Sequence, residues 1–202
     1  AKAGGQTLAN RLGGTFLYLP LSHTAKTIRR NLQTLCEALG TSYDPSEDEA
    51  RAEAALLHAK KLLGETEIAI DYTATPAPMS LARCLLEHGF RVTRIYADSI
   101  AAGDQEDFRW LQEHAPDIAL YATVQVKLRV LPRETETPTL AIGQKAAYFT
   151  GTQHFVNIVE GGGMYGFDGL CRLAELMEEA HRTERDARDF IQQKGLGCDS
   201  CL

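Results

Sequence analysis

Residues 68–99 read IAIDYTATPAPMSLARCLLEHGFRVTRIYADS, and the rhythm of this stretch decides the fold. A short apolar run ends at Asp71 and Tyr72. In the loop that follows, Pro76 and Pro78 keep a helix from starting early. MSLARCLLEHGF then reads as a helix closed by Gly89, and RVTRIYA as a second strand. Two strands joined through a helix of this length run parallel, because the crossover carries the chain back to its starting end.

The same alternation continues downstream. DQEDFRWLQEHAP reads as a helix stopped before Pro116, DIALYATV as a third strand, TLAIGQ as a fourth and HFVNIV as a fifth. A glycine-rich loop, EGGGMYGFDG, then opens a long helix expected from Asp168 to about residue 188. The fold class is α/β, with a parallel sheet covered by helices.

Upstream, EDEARAEAALLHAKKLLG is a helix with an acidic start and a basic end, as the helix dipole prefers, and Gly64 ends it. SHTAKTIRRNLQTLCEALG is an amphipathic helix with Leu32, Leu35 and Leu39 on one face, capped by Ser22 or Thr24. QTLANRL looks like the tail of a helix, and TFLYLPL like a short strand ended by Pro20. The chain is therefore expected to enter in mid-architecture. Residues 1–64 are expected to be the end of a preceding α/β domain plus linking helices, residues 65–190 the α/β domain with its long C-terminal helix, and residues 191–202 a tail.

The composition narrows the function classes. With 44% hydrophobic and 24% charged residues, the 202-residue chain is that of a globular protein. Its formal net charge of -6 and scattered Lys and Arg argue against a nucleic-acid groove. No apolar run approaches a membrane span, and the chain reads as cytoplasmic. The five cysteines, an odd number, read as reduced thiols rather than a disulfide framework. Cys36, Cys84 and Cys171 sit at helical spacing among apolar neighbours and are expected to be inert.

In sheets of this kind, ligands collect outside the carboxyl ends of the strands. The loops DYTATPAP, YADSIAAG, GQKA and EGGGMYGFDG share that rim. Gly161, Gly162 and Gly163 would let backbone amides approach an anion or a cluster sulfide at a helix N-terminus, or else make a tight turn packed against a neighbour. The first strand is followed by no G-x-G-x-x-G and no phosphate-binding loop occurs, which speaks against a dinucleotide site and ATP hydrolysis by that route. Asp168 reads as the cap of its helix. Lys145, just past the fourth strand, would point a cation into the rim. Asp71 would either orient a ligand or bond the amides of its own loop. His154 is the histidine expected near the rim, and no metal site is legible in the histidines. In the tail, KGLGCDSCL, Cys198 and Cys201 stand three apart, the spacing of a shared metal or a redox pair, unless they are incidental thiols.

GQKAAYF, HFVNIVEGGGMYGFDG and RLAELMEEA together make the chain resemble the C-terminal half of the nitrogenase component 1 family. That family contains nitrogenase molybdenum-iron subunits, cofactor-assembly scaffolds and dark-operative protochlorophyllide reductase subunits. The stretch from Ile68 to Ser99 is similar to the opening of the family's last domain, and GMYGFDG to its signature. The resemblance implies three-layer, Rossmann-like domains that bind no dinucleotide. It also implies an iron-sulfur cluster whose main ligands lie in a preceding domain, a homologous or identical partner subunit, and electrons from a separate ATP-dependent iron-sulfur reductase. Gly143 and Lys145 match a Gly-x-Lys lying by the family's cofactor. Where catalytic molybdenum-iron subunits carry a cofactor-ligating histidine, this loop has none, which argues against nitrogen fixation; Glu160 stands in the loop as a candidate ligand or hydrogen-bond acceptor. The Cys198/Cys201 pair lies outside the common signature. Three readings follow: a nitrogenase-like oxidoreductase, of which this portion alone is not a complete catalyst; an iron-sulfur cofactor-assembly scaffold; and a non-catalytic metal-binding domain using the terminal cysteines.

Overall fold

The computed structural model describes residues 2–130 and 137–187. Five strands, β1 (Glu67–Asp71), β2 (Arg91–Tyr96), β3 (Ala119–Tyr121), β4 (Thr139–Ile142) and β5 (Phe155–Val156), form one sheet in the order β3-β2-β1-β4-β5. Every neighbouring pair is parallel. The helices are α1 (Lys2–Leu12), α2 (Ala25–Leu39), α3 (Ser46–Leu63), α4 (Pro78–Glu87), α5 (Gln105–His114), α6 (Gln144–Thr150) and α7 (Gly166–Arg182).

Side chains alternate across the central strands, and the alternation sorts the layers. Ile68 and Ile70 of β1 and Leu140 and Ile142 of β4 are fully buried in one core with Leu56 and Leu63 of α3, Leu81 and Leu85 of α4, Leu111 of α5 and Met177 of α7. Each such aliphatic side chain contributes about 1.5–3 kcal/mol by leaving water. The opposite face carries small residues, Ala69 paired with Ala141, so α6 approaches closely through Ala146 and Ala147. Helices thus cover both faces, giving a three-layer α/β architecture.

Three expectations need correction. TFLYLPL forms no strand; residues 14–23 run between α1 and α2 without regular structure. The last helix begins two residues earlier than expected, at Gly166, and stops at Arg182, with Thr183 in extended conformation. Leu39 lies 68% exposed, so α2 is anchored by the buried Ile28 with Leu32, the member of the leucine stripe that packs against the core. In addition, α3, grouped with the preceding segment on sequence grounds, packs along α7 and shares the sheet's main core.

Candidate functional site

The strand order reverses between β1 and β4, and a crevice forms at such a switch point, outside the carboxyl ends of the two strands. Asp71 ends β1 there, fully buried. Its Oδ1 accepts the N–H of Thr73 at 2.7 Å and of Ala74 at 3.2 Å, together with the Thr73 hydroxyl. Its Oδ2 accepts the Ala146 N–H at 2.7 Å. Burial pushes the Asp71 carboxyl above its ordinary value, opposed by the hydrogen bonds from Thr73, Ala146 and Ala74. Of the two roles open for Asp71, the geometry selects the bonding of loop amides: this carboxylate ties the loop after β1 to the start of α6.

Lys145 was expected to point into the rim, but it is turned inward and is 1% exposed. Its Nζ donates to the Tyr72 hydroxyl and lies 4.2 Å from the centroid of the Tyr72 ring. Tyr72 is also among the groups that hold down the pKa of Asp98, in the loop after β2. The exposed Asp98 carboxylate also accepts the Thr123 hydroxyl at 2.7 and 2.8 Å and the Val124 N–H at 3.0 Å. Partial burial works against its ionisation, but the hydrogen bonds from Thr123 and Val124, assisted by Tyr72, outweigh it and hold Asp98 below the usual carboxylate range. A buried cation and a phenol thus meet just past the ends of β4 and β1. Tyr72 and Asp98 drew no role on sequence grounds. Their signal was positional, Tyr72 directly after β1 and Asp98 two residues past the end of β2.

The glycine loop folds over the same crevice. The Glu160 N–H donates to the Thr73 carbonyl at 2.7 Å, and the Gly161 N–H to the Ala74 carbonyl at 2.6 Å. The Gly162 N–H bonds the Val159 carbonyl at 3.0 Å. The amides of Gly161 and Gly162 are therefore taken by the protein itself, which corrects the expectation that they lie open to an anion. The glycines answer a backbone demand, with φ of 80°, 56° and 77° at Gly161, Gly162 and Gly163. Glu160 shares that conformation, at φ 51°, and its side chain is exposed.

The signature GFDG is likewise explained by packing. Gly166 has φ 62°, and a Cβ on Gly169 would lie 2.6 Å from the Met164 carbonyl carbon. Asp168 does not cap the helix: Tyr165 holds the cap position, and the Asp168 carboxylate instead pairs with Arg51 of α3. His154 precedes β5 and so sits at the opposite end of that strand from the rim, bonded through Nδ1 to the Ala180 carbonyl at 2.9 Å. The histidine beside the crevice is His23, which lines a small cavity with Thr75, Gly161 and Met164. Its Nδ1 has no hydrogen-bond partner, and burial lowers its pKa to about 4.

A roomier cavity of about 410 Å³ lies between α3, α4 and α7. Its carboxylates are already paired, Glu49 with Arg29, Glu53 with His88 and Glu87 with Arg83. Among the described residues no three of His, Cys, Asp and Glu converge as metal ligands. Cys36, Cys84 and Cys171 are free thiols on three different helices, and burial raises the Cys84 thiol. The described donor set does not fit an iron-sulfur cluster. Cys198 and Cys201 lie outside the described residues. No described helix is long and apolar enough to cross a membrane.

Among solved structures, the chain is similar to nitrogenase Cp1 at pH 6.5, with a TM-score of 0.59 and 16% identity over 96% of this chain. It spans 44% of that chain, less than half. The likeness establishes a shared fold. No family model and no curated protein matches the sequence.

Proposed function

We propose that this chain is the C-terminal portion of a nitrogenase component 1-like oxidoreductase, not itself nitrogen-fixing, that receives electrons from a separate ATP-driven iron-sulfur reductase. One coincidence carries the reading. The fold likeness runs over 96% of the chain, and the text by which the sequence resembles the family, Gly143 to Lys145 and Gly166 to Gly169, falls at the switch-point crevice and the helix beside it.

The residues in hand suit a reduction. Lys145 holds a positive charge in a low-dielectric setting, where a cation favours the negative charge that builds up as electrons arrive. Asp71 ties the loop after β1 to the start of α6, the helix that carries Lys145, and the glycine loop bonds Thr73 and Ala74 of that same loop. Because the described residues do not fit a cluster, its ligands belong to residues outside them, in this protein or in a partner subunit.

The test is anaerobic mixing of the full-length assembly with a dithionite-reduced, ATP-driven iron-sulfur reductase. MgATP-dependent oxidation of the reductase, followed by its visible absorption, is expected to require the assembly and to stop with a non-hydrolysable ATP analogue. Oxidation no faster than that of the reductase alone overturns the reading.

A further inference from the structure

The cavity of about 410 Å³ between α3, α4 and α7 has the volume of a small-ligand site, and neither Lys145 nor Asp71 lines it. Two turns of α3 build one wall, with Glu49, Ala52, Glu53 and Leu56 at the i, i+3, i+4 and i+7 spacing of a single helix face. Arg29 engages only Oε2 of Glu49, His88 only Oε2 of Glu53 and Arg83 only Oε1 of Glu87. Among the described residues the second oxygen of each carboxylate is therefore unengaged, and neither arginine lines the cavity. The His88 ring is fully occupied, with Nδ1 on the Cys84 carbonyl at 2.7 Å and Nε2 on Glu53 at 3.1 Å. His23 stands in the wall as well. Its Nδ1 is shut off from solvent without a partner, and burial keeps the ring neutral, so the ring offers an acceptor nitrogen. Leu56 of α3 with Phe167 and Leu170 of α7, none more than 5% exposed, complete an apolar floor.

We propose that this cavity binds a small primary amine with an apolar body, its ammonium held by Glu49, Glu53 and His23 and its body laid against Leu56, Phe167 and Leu170. An ammonium carries three donor hydrogens and no acceptor, which matches carboxylate oxygens and an imidazole nitrogen that lack donors. An anionic ligand would face three carboxylates, and an apolar neutral one would leave the buried His23 nitrogen without a donor. The lining does not suit a metal ion, because among the described residues no three of His, Cys, Asp and Glu converge. The proposal stands independently of the oxidoreductase reading, since it uses no residue of the switch-point network around Asp71 and Lys145.

The test compares three probes of one shape on the isotopically labelled protein at neutral pH: phenethylamine, the uncharged 2-phenylethanol and the anionic phenylacetate. Amide shifts followed by NMR are expected to saturate with phenethylamine, at a dissociation constant of about 1 mM or lower. The shifted amides should cluster on the second and third turns of α3, the end of α4 and the first turn of α7. 2-Phenylethanol should bind about tenfold more weakly, and phenylacetate not at all. The double variant Glu49→Gln, Glu53→Gln should weaken phenethylamine about fivefold or more and leave 2-phenylethanol unchanged. No saturable shift by about 10 mM phenethylamine overturns the proposal, as do shifts that map to another part of the molecule. Equal affinities for the three probes, or wild-type affinity for the amine in the folded double variant, also overturn it. Should the double variant fail to fold, the three probes on the wild type decide the matter alone.

Discussion

Gly143 passes directly over the Asp71 carboxylate: a Cβ at position 143 would fall 2.2 Å from Oδ2. The carboxylate cannot swing aside without releasing the N–H groups of Thr73, Ala74 and Ala146. Gly143 also sits at φ 108°, which disfavours any side chain. Gly143→Ala is therefore expected to cost about 3 kcal/mol or more, as a clash combined with a broken buried network. Gly163→Ala separates the two effects, since φ is 77° there but nothing lies within 4 Å of the added carbon. Its cost should be conformational alone, about 1–2 kcal/mol. Urea unfolding of both variants checks this, and equal losses would mean that the Asp71 contact adds nothing.

Two buried groups bend the pH dependence in opposite directions. Asp104, 2% exposed, accepts the N–H groups of Met79 at 2.9 Å and Ser80 at 3.0 Å at the start of α4. Burial, assisted by Asp107 and opposed by those hydrogen bonds, raises its pKa to about 6. Its contribution is full below the ordinary carboxyl value and is lost as pH rises through about 6. His23 is held down to about 4 by burial, so its contribution is full above the ordinary imidazole value and is lost as pH falls toward 4.

From pH 4 to 6, Asp104→Asn should therefore gain stability relative to the wild type as pH rises, by about 2–3 kcal/mol across the window. His23→Gln should gain relative to the wild type as pH falls from 6.5 to 4. Urea midpoints at half-unit pH steps give both difference profiles, and a flat profile for either variant removes that residue from the account.

The sheet was legible because its strands are short apolar runs, and the helices before and between them end on visible signals, Gly64 after α3, Gly89 after α4 and Pro116 after α5. TFLYLPL has the same composition but finds no neighbouring strand, and a strand exists only through its partner. The site was half legible. The text around Lys145 and Gly161 falls on loops at the switch point, but their polar groups turn toward the protein, because a buried amide or ammonium takes the nearest acceptor. The contact of Lys145 with Tyr72 joins residues 73 positions apart, and no local pattern encodes it.

Gly169 and Asp168 are adjacent in the signature but carry different loads. The Cβ of Gly169→Ala would press on the Met164 backbone at 2.6 Å, where no flexible side chain can yield. A loss of about 2 kcal/mol or more is expected, with the start of α7 displaced. The Asp168 carboxylate is 85% exposed and faces an exposed Arg51, so Asp168→Ala should leave the melting curve within error of the wild type. A clear drop on losing Asp168 would restore the capping role that the structure gives no sign of.

The terminal pair Cys198 and Cys201 makes a prediction about stoichiometry. Two thiolates supply half of a four-thiolate site, so a metal held by this pair is completed by a second copy. Anaerobically purified protein is then expected to bind about half an equivalent of iron or zinc per chain and to dimerise with it. In Cys198→Ser, Cys201→Ser both the metal and the metal-linked dimer should disappear, while the sheet core and its unfolding midpoint stay unchanged. Metal analysis alongside sedimentation of the two forms is sufficient. Equal metal content in the two proteins, or none in either, would remove the pair from metal binding, so that every cluster ligand required by the oxidoreductase reading would have to come from elsewhere in the assembly.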